Sequence, residues 1–384
     1  MEHFDAIVAG MGGMGSATAY QLARRGLKVL GLEKHNLLHD MGSSHGLTRI
    51  IRLAYYEHPA YVPLLFRAYE LWRHLENITG ERILFVTGGI DAGPENGRIV
   101  QGSLAACEEH SLRHEVLDAA NLQERFPGVR LSKDMVGVYS PDSGFVLSER
   151  AISLYTHLAL DLGAEVHGRE PVVGWEVRPD FVIVRTETAT YSAGRLIVSA
   201  GAWASKLMPS LSKVLQPERQ VLIWTRPLRP EIFQLGAFPI FNLQSPEGHF
   251  YGFPVHDFPG FKIGRYHHRN ERVDPDSMDR ECHPEDEAVL REGILRYFPQ
   301  ANGPTLALKV CLFTNTPDEH FILDAHPESD RVFIAAGFSG HGFKFCSVVG
   351  EIMAELATSG ATRHNLDLFR LNRDFKPQPP PASF

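Results

Sequence analysis

Cysteine is scarce in this chain. Four residues in 384, Cys107, Cys282, Cys311 and Cys346, are too few for a disulfide framework, and no C-x-x-C pair offers a cysteine zinc site. Positive charge is not in excess either. Thirty-eight basic residues against 46 acidic ones leave a formal net charge of −8, which argues against a nucleic-acid partner. No run approaches the roughly 18 apolar residues of a membrane helix. The start, Met1-Glu2-His3-Phe4-Asp5, carries acids where a signal peptide has a basic region, and the apolar run behind it breaks at glycines. There is no internal repeat, no H-E-x-x-H and no G-x-S-x-G. A soluble protein of a reduced, cytoplasmic compartment is expected, without membrane or metal. The rest is ordinary globular composition, 43% hydrophobic and 22% charged, enough for two lobes or one large interrupted domain.

Phe4 to Ala9 reads as a short buried strand that ends in Gly10-Met11-Gly12-Gly13-Met14-Gly15. Ser16 to Ala23 has the small residues and apolar spacing of a tightly packed helix, stopped at Gly26. Lys28 to Glu33 is the second strand. Buried strands running into glycine recur at Arg195–Gly201 and Arg331–Gly337, while residues 215–275 read as an antiparallel sheet. Helical patterns lie at 61–75, 151–162, 284–298 and 348–357. The fold class is α/β with two lobes. A Rossmann-type nucleotide-binding domain is assembled from 1–80, 145–215 and 320–370. An antiparallel-sheet substrate domain, 81–144 and 216–319, is inserted, and 371–384 is an extended, proline-rich tail.

Gly10, Gly12 and Gly15 have G-x-G-x-x-G spacing between a strand and a helix. The first glycine allows the tight turn, the second lets backbone approach a pyrophosphate, and the third lets helix and strand pack closely. The helix N-terminus offers free N–H groups to phosphate. Glu33, 23 residues after Gly10, stands where an acid accepts from a ribose hydroxyl. The dinucleotide is NAD or FAD on this pattern, and an acid at this position disfavours a 2′-phosphate.

Further segments are distinctive: Gly42-Ser-Ser-His-Gly-Leu-Thr-Arg-Ile-Ile-Arg52, Tyr251-Gly-Phe-Pro254, Lys262-Ile-Gly264, Cys311 followed by Thr316-Pro-Asp-Glu-His-Phe321, and Gly337-Phe-Ser-Gly-His-Gly-Phe-Lys-Phe345. Together they resemble the monomeric sarcosine oxidase family of FAD-dependent amine oxidases, which includes N-methyltryptophan oxidase. The resemblance runs from residue 4 to about 370. It implies FAD held by Gly10, Gly12, Gly13, Met14, Gly15, Glu33, Lys34, Ser44, His45, Thr48, Arg49, Val172, Gly201, Gly337, Gly340, Gly342, Phe343 and Lys344. It also implies a covalent 8α-S-cysteinyl link through Cys311. Arg49 and Lys262 match the cations flanking the flavin ring, with the lysine tied to oxygen activation. His45 matches a histidine near the flavin. Arg52 and Lys344 match the pair that binds the substrate carboxylate, and Tyr251 an aromatic framing it.

Two departures bear on the substrate. The family pattern Lys-x-Gly-x-His falls on Tyr266 without a gap, and on His267 only if one residue is inserted. The tyrosine two residues after the cysteine is Phe313 here. If Arg265 in the same stretch points inward, it serves a second carboxylate. The resemblance therefore implies a sarcosine-like oxidase of secondary or N-methylated α-amino acids. Hydride transfer to the flavin gives an imine, O2 is reduced to H2O2, and the enzyme is a monomer. The rival readings are an amine dehydrogenase passing electrons to a partner, an oxidase of a dicarboxylic or cyclic secondary amine, and a silent FAD-binding protein.

Overall fold

In the computed structural model, residues 1–377 are described. They build two eight-stranded sheets and one three-stranded sheet. The first sheet is centred on the strand Glu2–Ala9, paired in parallel with Val29–Leu32 on one side and Thr190–Val198 on the other. Thr190–Val198 pairs along its first half with Val182–Thr186 and along its second half with Ser329–Ala336. Its strands thus come from the start, middle and end of the chain. Pleating sends Ala6 and Val8 into a core beneath the helices Gly13–Ala23, Val62–Thr79, Ser148–Asp161 and Cys346–Ser359, and Ile7 and Ala9 into the opposite core.

The second sheet runs in the order Thr305–Asn315, Gln216–Thr225, Phe261–Arg265, Gly248–Phe253, Ile240–Ser245, Gly89–Pro94, Met135–Ser140, Glu115–Asp118. It is antiparallel except where Ile240–Ser245 lies parallel to Gly89–Pro94, a pairing that composition does not reveal. One face, with Phe241, Leu243, Phe250, Phe261 and Ile263, packs on the helix Pro284–Tyr297. The other face carries Asp91, Asn242, Tyr251, Lys262 and Tyr266, and it turns toward the first sheet. The third sheet, Thr48–Ile51, Gly144–Leu147 and Leu84–Val86, joins the arginine-bearing segment to the inserted part of the chain, a connection the sequence did not suggest.

The tail does not begin as free chain. Leu371 and Phe375 pack on the first sheet, and the Arg373 guanidinium forks onto Asp318 at 2.7 and 3.0 Å. The prolines beyond 378 lie outside the described residues.

Candidate active site

A cavity of about 450 Å³ runs between the two large sheets, from the glycine turn to Lys344. The helix Gly13–Ala23 opens on it; its N-cap residue Gly12 has no side chain to cap it, Ser44 Oγ accepts the Gly13 N–H at 3.3 Å, and no acid stands in its first turn. Gly10 has φ +96°, and a Cβ there would stand 2.6 Å from the Ser199 carbonyl. A Cβ on Gly15 would meet the Gly10 carbonyl at 1.8 Å, so helix and strand pack through it. Gly12 differs. Its φ of −69° suits any residue, and its Cβ would meet nothing nearer than Ser44 Oγ at 3.6 Å. The protein itself does not demand glycine at 12; the space it leaves is a cradle for a ligand's close approach.

Glu33 accepts the backbone N–H groups of Met11 and His35, each at 2.9 Å, and faces His39 at 3.2 Å. Burial opposes its charge, but the His39 ring and these N–H donors hold its carboxyl below the usual range. Lys34, Val172 and Gly201 line the same half of the cavity, with Met14, Gly13 and Ser44 at the turn. Lys34 is paired with Asp276 from the inserted part of the chain. Gly337, Gly340, Gly342 and Phe343 also line the cavity, with the Phe343 ring packed against Gly13 of the turn. Of the expected cofactor residues, Gly15, His45, Thr48 and Cys311 do not line the cavity; they stand directly behind its wall.

Cys311, on Thr305–Asn315, lies 3.8 Å from the Arg49 guanidinium and 3.9 Å from the Ser43 carbonyl, and both of those residues line the cavity. Burial alone would raise its thiol, but the adjacent His45 imidazole and Arg49 bring it down to about 7. The other three cysteines are shifted the opposite way, Cys107 to about 12, with burial the leading cause. His45 is buried with neither ring nitrogen in a hydrogen bond of ordinary geometry among the described residues.

Arg49 is tied down by the carbonyls of Ser43, His45 and Thr48. Lys262 is buried over the Phe253 ring at 4.2 Å and donates to Gly46 O at 2.7 Å, Thr48 O at 2.8 Å and Thr48 Oγ1 at 3.0 Å. Burial, then the neighbouring Arg49, push its ammonium well below the usual lysine range. Lys262 sits one layer behind the cavity, with Arg49 and Phe253 in front.

At the far end stand two more buried cations. Arg52 donates to both oxygens of Glu57, at 2.6 and 2.8 Å, and to Ala54 O at 2.7 Å, between the rings of Tyr55 and Tyr56. Its Nε–H has no partner among the described residues. Lys344 donates to His341 O at 2.6 Å, and burial, then Arg52, bring its ammonium down to about 7. Trp72 fixes this turn by donating to Lys344 O at 2.9 Å. His341 Nε2–H donates to Glu319 O at 2.9 Å, so Nδ1 accepts from the Tyr55 hydroxyl at 2.6 Å.

Two expectations are corrected here. His267 does not reach the cavity: it follows the strand in a turn, at φ +52°, with Nδ1 on Glu218 at 2.9 Å and Nε2 facing Glu319 at 3.3 Å. These two carboxylates raise its imidazole to about 9. Tyr266, on the same face as Lys262 and Gly264, is the residue that lines the cavity beside Tyr251 and Phe313. Arg265, one residue earlier, points to the other face. It donates to His268 O at 3.1 Å and does not line the cavity.

Sequence reasoning missed Glu57, His39, Ser199, His341 and the pair Asp91–Asn242. Glu57 carried a weak signal as an acid five residues after an arginine in an apolar stretch; the others are brought in only by tertiary pairing.

A family model described as FAD dependent oxidoreductase matches residues 5–356. Monomeric sarcosine oxidase of Bacillus sp. (strain NS-129) is 44% identical over 377 residues, 97% of each chain. The chain belongs to the monomeric sarcosine oxidase family of FAD-dependent oxidoreductases. N-methyl-L-tryptophan oxidase of Citrobacter koseri is 35% identical over 376 residues, 96% of this chain and 99% of that one. Among solved structures, NikD, described as an unusual amino acid oxidase essential for nikkomycin biosynthesis, superposes with a TM-score of 0.83 at 24% identity, covering 100% of this chain and 99% of that one. Glycine oxidase from Geobacillus kaustophilus gives 0.80 at 19% identity, covering 97% and 100%. The solved structures agree with the α/β fold class, and the family model agrees with FAD as the dinucleotide.

Proposed function

We propose that the protein is an FAD-dependent oxidase of secondary or N-methylated α-amino acids that yields an imine and hydrogen peroxide. The observation that carries this reading is the pair Arg52 and Lys344, two buried cations at the end of the cavity away from the dinucleotide turn. Glu57 occupies one edge of Arg52 but leaves its Nε–H unpartnered, and Lys344 has no carboxylate partner among the described residues, so a substrate anion would complete both.

The residues present fit FAD. The Gly12 cradle and the open helix N-terminus would take the pyrophosphate, and Glu33 the adenosine ribose. Cys311, with a thiol near 7, would carry the 8α-S-cysteinyl bond. FAD held by these residues would supply the hydride acceptor and a route for the electrons to O2.

The chain's own residues do the rest. Arg52, through its free Nε–H, and Lys344 bind the substrate carboxylate and so orient the C–H beside nitrogen. Tyr251, Tyr266 and Phe313 wall the substrate off from water. Arg49 and the desolvated Arg52–Lys344 end favour the neutral amine, the form that can lose a hydride equivalent. Lys262 and Arg49 set a positive potential where reduced oxygen develops negative charge. No general base is required.

The dicarboxylate alternative loses its support with Arg265 turned away. A monomer acting in a reduced compartment is our reading of the remaining properties, supported by the relatives' name and by four unpaired cysteines. No helix among the described residues is long and apolar enough to cross a membrane. The test is an anaerobic flavin-reduction screen over sarcosine, N-methyl amino acids, cyclic imino acids and iminodiacetate, with peroxide measured on re-aeration. Bleaching by an N-methyl amino acid followed by stoichiometric peroxide is expected. Bleaching without peroxide would favour the dehydrogenase reading, and no bleaching at all the silent one.

A further inference from the structure

One polar pair of the cavity wall plays no part in the chemistry above. Strand pairing sets Asn242 beside Asp91 on one neighbour and Tyr251 on the other. Asn242 and Tyr251 line the cavity. The Asn242 amide nitrogen donates to Asp91 Oδ1 at 2.7 Å. The Ser103 hydroxyl donates to Asp91 Oδ2 at 2.8 Å, and Arg52 stands 4.0 Å from the same oxygen. Asp91, Asn242 and Ser103 are all buried.

A carboxylate only accepts, so it dictates which end of the amide it holds. The Asn242 carbonyl oxygen is left over, without a partner among the described residues. An apolar side chain would fill this space without the desolvation cost of a buried acid. Charge adds to the case. Arg52 is already matched by Glu57 at 2.6 Å, so Asp91 places a second carboxylate beside one guanidinium. This end of the cavity opposes a further substrate anion.

We propose that Asn242, oriented by Asp91, is a specificity-determining residue that accepts a hydrogen bond from a donor on the substrate side chain. The enzyme then prefers N-methyl α-amino acids bearing a hydroxyl or ammonium group over aliphatic or acidic ones. The inference rests on the amino-acid oxidase reading of the same cavity.

The test compares kcat/KM for N-methyl-L-serine and N-methyl-L-alanine, which differ by one hydroxyl. A preference of about tenfold or more for serine is expected, with N-methyl-L-aspartate below alanine. N-methyl-L-2,3-diaminopropionate in place of serine separates ammonium from hydroxyl recognition. In Asn242→Leu the serine-to-alanine ratio falls to about one; in Asp91→Asn, which frees the amide to turn, it falls part of the way. The ratio is taken within each variant, so a general loss of rate cancels. If a variant fails to fold, the wild-type ratio still decides. A wild-type ratio near one, or a high ratio that survives in Asn242→Leu, overturns the proposal. Failure of sarcosine and every N-methyl amino acid to reduce the flavin removes the oxidase reading itself, and this inference with it.

Discussion

Arg52 and Glu57 form a two-pronged ion pair at 2.6 and 2.8 Å, closed off from solvent at the end of the cavity. The guanidinium that the family resemblance assigns to the substrate is therefore already held by an internal acid. Substrate must share it or draw it away. Glu57→Gln keeps the shape and removes the competing charge. It is expected to lower the KM of a carboxylate substrate while costing about 3 kcal/mol of stability, the lower end for breaking a buried pair. Steady-state kinetics and a melting curve on the same preparation check this. A KM that rises with Glu57→Gln would show that the pair aligns the arginine rather than competing for it.

Lys344 gives the site a pH dependence whose sign follows from its ammonium lying near 7 in the free protein, lowered by burial and by Arg52. A bound carboxylate favours the charged form and raises that value. Affinity for a carboxylate without an ionisable amine is thus full below pH 7. It falls by up to about tenfold per unit above it, until the value in the complex is passed. Spectral titration of the flavin between pH 6 and 9 measures this, and Lys344→Met is expected to flatten the profile.

The glycine turn separates protein packing from ligand packing. Gly15→Ala drives a Cβ to 1.8 Å from the Gly10 carbonyl and is expected to cost about 3 kcal/mol or more. Gly12→Ala finds open space and should melt within about 1 kcal/mol of wild type as apoprotein, yet retain much less flavin. Equal melting losses in the two apoproteins would refute the cradle.

What the sequence disclosed follows the same division. The turn was legible because its glycines answer to local geometry, and the buried strands because their apolar runs are continuous. The choice between His267 and Tyr266 was also open to local reasoning. Lys262, Gly264 and Tyr266 share one face of a pleated strand, so alternation from the lysine reaches the tyrosine. The rest depends on contacts between distant segments. Asp91 and Asn242 lie 151 residues apart and meet through the parallel pairing of their strands. His39 reaches Glu33 by the path of a loop. Neither the third sheet nor the docking of Leu371 and Phe375 leaves a periodic signature.

Cys311 is separated from the other cysteines by its surroundings, since its thiol alone is drawn down, to about 7. Acid precipitation of the wild type is expected to leave flavin with the pellet, and of Cys311→Ser to release it to the supernatant. Arg49→Ala and His45→Ala remove the groups that lower the thiol and should slow flavin attachment to added FAD. Full attachment in Cys311→Ser would refute the assignment.

Lys262 poses the sharpest question of mechanism, because its ammonium is held by the Gly46 and Thr48 carbonyls yet pushed toward neutrality by burial and Arg49. Three acceptors around one nitrogen use all three of its protons, which favours the cation at neutral pH in spite of the desolvation. A fixed positive charge at this depth stabilises reduced oxygen far more than it would in water. Lys262→Met removes the charge and keeps the stem over Phe253. Its reoxidation by O2 is expected to slow by about 10²–10³-fold, while anaerobic reduction by substrate changes much less. Stopped-flow traces of the two half-reactions give both numbers. Equal slowing of the two would assign Lys262 to shaping the Gly46–Thr48 loop, and no slowing of either would favour a partner protein as the electron acceptor.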